Sequence, residues 1–258
     1  MFRKGVEKYY REKLGEQGAL LFSLIDPDKL SGEPGAKVAR ASYENGADAI
    51  LVGGSIGAQG TVLDETVKKI RDAVSNDIPV VLYPGSPGGV TKYADAIYFM
   101  QMLNSRDVYW LSTAQIQAAP VVARANIEVI PTTYVVIEPG RAVGWIGNAN
   151  LVPRERGDLA AACALAAKFL GSHVFITDSG SGAPEPAPKQ MISAISKVCD
   201  GNPLLYFYGG GVKTAKQAGD CIEAGAHGVQ VGNAFEAEEP GKIKKMAEAV
   251  KKAGKVRL

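Results

Sequence analysis

Short, nearly unbroken apolar runs recur along the chain, separated by segments in which apolar residues return at helical spacing. Ala19-Leu20-Leu21-Phe22-Ser23-Leu24-Ile25 is one such run, stopping at Asp26-Pro27-Asp28-Lys29 as a strand covered on both faces does. Ala49-Ile50-Leu51-Val52 repeats it and ends at Gly53-Gly54-Ser55. Residues 79–83, 96–100, 131–137, 174–176, 204–208 and 228–231 complete the series. Between them, residues 36–45, 62–74, 159–170, 189–198 and 214–224 carry the helical period, and a mostly helical stretch reaches Ala125. Residues 3–16 predict a helix that covers one end of the core. Residues 141–156 follow neither period and are expected to form the longest loop, a kind of segment that is usually functional or lid-like.

Eight apolar runs alternating with helices, with no composition shift or linker among 258 residues, predict one α/β domain over residues 1–258. The architecture expected is a (β/α)8 TIM barrel. A doubly wound open sheet is the alternative, but it rarely carries eight alternating units with glycine-rich strand ends. In a barrel every strand delivers its C-terminal end to one face. Asp26, Ser55, Asp178, Gly210 and Asn233, scattered in sequence, are then expected around one pocket.

Composition narrows the partners. The chain has 29 basic and 27 acidic residues, a net charge of +2, and no reason to bind nucleic acid. The basic stretch 242–255 reads as the solvated face of a last amphipathic helix, leaving peripheral membrane contact at most. No apolar run reaches membrane-spanning length, and the charged residues after Met1 do not make a signal peptide. Cys163, Cys199 and Cys221 lie far apart in apolar helical contexts and read as buried thiols of a cytoplasmic protein. His173 and His227 are isolated, so they read as structural or solvent-facing, and a zinc site is not expected.

Candidate chemistry collects at the strand ends. In Ile176-Thr177-Asp178-Ser179-Gly180-Ser181-Gly182 an apolar run stops at an acid and opens into alternating Ser and Gly. Such a loop exposes backbone N–H groups that can close around an anion, with Ser179 and Ser181 adding hydroxyls, although isolated Ser-Gly repeats also make linkers. Gly209-Gly210-Gly211 and Gly232-Asn233 follow at the next two strand ends, where barrels often bind phosphate, and none of these loops contains Lys or Arg. Asp26 and Ser55, with Asp28 nearby, suit Mg²⁺, which takes few protein oxygens; an Asp-Pro-Asp turn can equally be only a turn. Asp178 is placed to act as a general base on a phosphate-anchored hydroxyl, or else to cap the following turn. The stripe Ile97-Tyr98-Phe99-Met100-Gln101-Met102-Leu103 is either core or the wall of a greasy groove.

Leu24-Ile25-Asp26-Pro27-Asp28-Lys29, Val52-Gly53-Gly54-Ser55, Tyr83-Pro84-Gly85-Ser86, Leu103-Asn104-Ser105-Arg106, Gly180-Ser181-Gly182-Ala183-Pro184, Gly209-Gly210-Gly211 and Gly232-Asn233 together resemble the geranylgeranylglyceryl phosphate synthase family. This family is related to the heptaprenylglyceryl phosphate synthases, and the likeness runs from about Leu20 to about Phe235. The resemblance implies Mg²⁺ at Asp26 and Ser55 and a prenyl diphosphate, geranylgeranyl above all. It implies sn-glycerol 1-phosphate anchored by residues 176–182, Gly210, Gly211, Gly232 and Asn233, with ether formation at its C3 hydroxyl. Where the family usually carries Tyr-Leu-Glu, this chain has Ile176-Thr177-Asp178: one phenol is missing and the acid is a methylene shorter. The family is commonly a dimer or hexamer, so a homo-oligomer is expected. Two other readings stay open at this stage, another sugar-phosphate enzyme on the same barrel and a phosphate-binding barrel without catalysis.

Overall fold

The computed structural model describes residues 5–54, 59–201, 203–235 and 240–258. Eight parallel strands, β1 (Leu20–Ile25), β2 (Ala49–Val52), β3 (Val80–Leu82), β4 (Ala96–Met102), β5 (Glu128–Val136), β6 (Val174–Asp178), β7 (Leu205–Gly209) and β8 (Gly228–Val231), pair in sequence order. The sheet closes where Leu20 of β1 pairs with Gly228 of β8. The described helices are α1 (Val6–Gln17), α2 (Glu33–Glu44), α3 (Gly60–Val74), α4 (Ala114–Ala125), α5 (Arg141–Ile146), α6 (Gly157–Phe169), α7 (Lys189–Cys199), α8 (Ala215–Glu223) and α9 (Pro240–Lys255). A π-helical turn, Tyr109–Thr113, runs directly into α4.

The two-residue period of each strand divides the core in two. Leu20, Phe22, Leu51, Val81, Tyr98, Ile176 and Phe207 fill the barrel, whereas Leu21, Ile25, Ile50, Val80, Phe175 and Val229 face the helices. Both faces of the sheet are therefore apolar, which is why the strands read as continuous runs. The basic tail forms α9, which buries Ile243, Met246 and Val250 while its lysines lie on the other side.

Helix α1 closes the N-terminal end of the barrel. Tyr10 is fully buried, packs edge-on against Phe22 and Phe207 at 5.2 and 5.8 Å between ring centroids, and meets the Tyr98 hydroxyl at 3.2 Å. The start of α1 is held by Glu128, whose carboxylate accepts from the N–H groups of Val6 at 2.6 Å and Glu7 at 3.0 Å. The end of the barrel opposite this plug carries every strand's C-terminus.

The expected loop 141–156 is a correction. Its first part is α5, a helix too short to display a period, seated by Gly144 against Leu151 and Val136. Helix α2 begins at Glu33, earlier than expected, because Pro34 fits the first turn of a helix. Strand β5 begins at Glu128 because its first residues reach down to α1.

Candidate active site

The strand ends meet at one mouth, as a closed parallel barrel requires. A cavity of about 190 Å³ is lined by Asp26, Gly54, Asp178, Ser181, Gly232 and Asn233 on one side. On the other it runs between β3, β4 and α4 along Tyr83, Ile97, Phe99, Met100 and Trp110. The stripe at β4 is thus core and groove at once: Tyr98 is buried, whereas Phe99 and Met100 are half-buried and face the cavity. Trp110 comes from the π-helical turn, a distortion often found at functional sites.

Asp178 is the last residue of β6, in register with Val136 of β5 and Gly209 of β7, so its side chain points into the barrel at the floor of the mouth. Its Oδ1 accepts from Gly180 N–H at 2.6 Å. Burial raises its pKa above the usual carboxylate value, and hydrogen bonding from Gly180 and from the Tyr134 phenol opposes that rise without cancelling it. Gly210 adopts φ 86, and a Cβ there would stand 2.7 Å from both Asp178 Oδ1 and Ser179 N and 2.9 Å from Gly180 N. Only glycine leaves the space beside these amides open.

The loops after β6, β7 and β8 are tied together. Ser181 Oγ donates to Asn233 Oδ1 at 2.8 Å. Tyr208 lies outside the barrel wall, where its hydroxyl accepts from Ala187 N–H at 2.6 Å, donates to Gly210 O at 3.0 Å and meets Ser179 Oγ at 2.9 Å. Gly180, Gly182, Gly210 and Gly211 all have positive φ, the backbone state from which anion-binding nests are built.

Not every residue expected at the mouth presents its side chain there. Ile176 is fully buried one layer below, Thr177 faces outward with Oγ1 2.8 Å from the Tyr206 hydroxyl, and the Ser179 hydroxyl is taken by Tyr208. The alternation of the strand, which sends 176 and 178 inward and 177 outward, is the reason. The mouth holds Asp178, Ser181, Gly232 and Asn233, with Gly180, Gly182, Gly210 and Gly211 forming the loop backbones beside them. Two residues were missed in the sequence. Tyr134, paired in register with Ile176, brings a phenol to Asp178 from the neighbouring strand. Arg141 lies over the Gly180–Gly182 loop from the start of α5. Both were concealed inside segments read only as strand or loop.

Of the two donors expected for a hard cation, Asp26 lies among the described residues. Asp26 follows β1 and lines the cavity; its Oδ1 accepts from Asp28 N–H at 3.1 Å. A Cβ at Gly54 would come within 2.4 Å of the same oxygen, so the missing side chain keeps that carboxylate accessible. No group of three or more His, Cys, Asp or Glu suited to a metal occurs among the described residues. An oxygen-only foothold of this kind fits Mg²⁺, which retains most of its waters, and not a metal that needs a protein cage. Ser55, the second expected donor, lies outside the described residues.

The sequence matches the PcrB family over residues 13–253. A geranylgeranylglyceryl phosphate synthase of Pyrococcus horikoshii is 46% identical over 252 residues, covering 98% of this chain and 95% of that protein. The synthase of Methanosarcina acetivorans is 44% identical, covering 95% of this chain and 99% of that protein. Among solved structures, (S)-3-O-geranylgeranylglyceryl phosphate synthase from Thermoplasma acidophilum in complex with sn-glycerol-1-phosphate superposes with a TM-score of 0.89 at 30% identity, covering 96% of this chain and 98% of that one. Barrel, mouth and near full-length likeness agree: the chain belongs to the geranylgeranylglyceryl phosphate synthase family of prenyltransferases.

Proposed function

We propose that this enzyme joins a prenyl diphosphate, with geranylgeranyl as the first candidate, to the C3 hydroxyl of sn-glycerol 1-phosphate, forming an ether lipid precursor with the help of Mg²⁺. The observation that carries the reading is one mouth with two halves, a polar side built from glycine-rich loops around Asp178 and an apolar groove leading away along β4 and α4. The loops 179–182, 210–211 and 232–233 hold the phosphate through backbone amides, with Ser181 and Asn233 at the rim. The glycerol is thereby fixed with its hydroxyl at Asp178. As the allylic carbon–oxygen bond breaks and diphosphate departs, the hydroxyl oxygen forms the new ether bond and its proton passes to Asp178. The raised basicity of this buried carboxylate suits that task. Asp26, with Ser55, is the proposed Mg²⁺ site; when bound there the ion neutralises charge on the departing diphosphate. The groove takes the prenyl chain through Phe99, Met100 and Trp110.

The cysteines are unpaired and, among the described residues, no helix is long and apolar enough to cross a membrane. These support a cytoplasmic enzyme that meets lipid at most peripherally. Ile116 on α4, with Phe169 and Leu170 at the end of α6, are 71%, 76% and 63% exposed, which supports burial against further copies in a homo-oligomer. Incubation with labelled sn-glycerol 1-phosphate, Mg²⁺ and prenyl diphosphates of several lengths is expected to yield a labelled ether with at least one of them. Absence of product at every length overturns the assignment.

A further inference from the structure

Three cationic side chains reach the loop that follows β6. Two are engaged: Arg154 Nη2 donates to Glu185 Oε1 at 3.0 Å and Pro186 O at 2.6 Å, and Lys213 Nζ donates to Pro184 O at 3.1 Å. The guanidinium of Arg141 makes no hydrogen bond or ion pair among the described residues. Its stem crosses Gly180, with Cβ and Cγ 2.7 and 2.8 Å from the point that a Cβ on that glycine would occupy. Its Nη2 ends 3.9 Å from the corresponding point on Gly182. The cation therefore lies against two residues that present only backbone.

The backbone at Arg141 adds a second observation. Its φ of 48 lies in the left-handed region that favours glycine, and Gly140 before it has φ 71. An arginine in this conformation is strained, and such strain persists where the surroundings hold the residue for what it positions. The Gly140 carbonyl is itself packed over Gly180, 2.5 Å from its Cβ position, so the β5 and β6 loops fix each other.

We infer that Arg141 supplies the side-chain cation of the phosphate subsite, a specificity residue for an anionic acceptor delivered by the loop after β5; this rests on reading the glycine-rich loops as the phosphate cradle. Loop amides bind any small anion of the right shape. A guanidinium beside them adds full charge and a fork of donors that favours phosphate over a neutral polyol.

The test is calorimetric titration of the full chain with inorganic phosphate and with sn-glycerol 1-phosphate, alongside thermal melts, for wild type, Arg141→Gly and Arg141→Lys. Arg141→Gly is expected to weaken both ligands about three- to tenfold, the range for one charge-assisted hydrogen bond partly screened by solvent. Its melting temperature should stay level or rise, because glycine suits this φ. Arg141→Lys keeps the charge but loses the fork, and is expected to bind both ligands more weakly than wild type and more tightly than Arg141→Gly; wild-type affinity in the lysine variant counts against the proposal. Unchanged affinity in Arg141→Gly overturns the proposal, as does an equal loss in Arg141→Lys. If Arg141→Gly melts lower than wild type, the lysine variant alone decides. A wild-type protein that binds phosphate but makes no ether overturns the proposed reaction and leaves Arg141 standing; active enzyme whose phosphate affinity ignores Arg141 does the reverse.

Discussion

Asp178 and Tyr134 show how much a single strand position decides. The acid was legible because it ends an apolar run just ahead of a glycine-rich loop. Its phenol partner was not, since Tyr134 sits in an unremarkable strand and meets Asp178 only once β5 and β6 are set in register. That phenol stands on the strand beside Ile176, where the family usually has its own tyrosine. Hydrogen bonding from Tyr134 favours the charged carboxylate, so its removal lets burial raise the Asp178 pKa further. In Tyr134→Phe the acidic limb of the kcat/KM profile is therefore expected to move to higher pH. A pH–rate measurement showing no shift, or a shift to lower pH, contradicts the pairing. His227 acts on stability instead. Its Nδ1 accepts from Tyr206 N–H at 2.9 Å, and burial, aided by Arg257, lowers its pKa from 6.5 to about 4. Between those values the unfolded chain takes up a proton that the folded chain excludes, so stability falls as pH drops through the window. The full effect is about 3 kcal/mol. Urea unfolding from neutral pH down to about 4 should show this loss, and His227→Asn, which keeps an acceptor but cannot titrate, should flatten it.

At the scale of elements, the alternation of strand and helix was readable because both faces of the sheet are buried and each strand is a solid apolar block. Helix α5 was not, because six residues give less than two turns and its order comes from contacts with Leu151 and Val136. The covering role of α1 was legible from its spacing, but its anchor was not: Glu128 belongs to β5, and nothing local announces that its carboxylate caps a helix near the chain start. Acid at a helix N-terminus satisfies free N–H groups and the helix dipole together. Glu128→Ala is expected to cost about 1–2 kcal/mol in denaturant unfolding. Because the cap lies at the end of the barrel away from the mouth, KM for both substrates should stay at wild-type values; a change in KM with stability intact would show that α1 communicates with the site.

At the scale of the molecule, one topological fact made the rest possible. A closed parallel barrel gathers eight strand ends, so Asp26 and Asp178, far apart in the chain, line one cavity. The gathering was readable from sequence; the inward or outward aim of each loop residue was not, because loop residues have no period to follow, and Ser179 and Ser181 diverge although only one residue separates them. The same architecture leaves the protein with a built-in optical reporter. Of its two tryptophans, Trp145 is 86% exposed, while Trp110 stands in the wall of the apolar groove. Replacing Trp145 by Phe leaves a single indole beside the space assigned to the isoprenoid tail, so its emission colour becomes a direct gauge of when that space fills, readable without isotopes and before any bond is made.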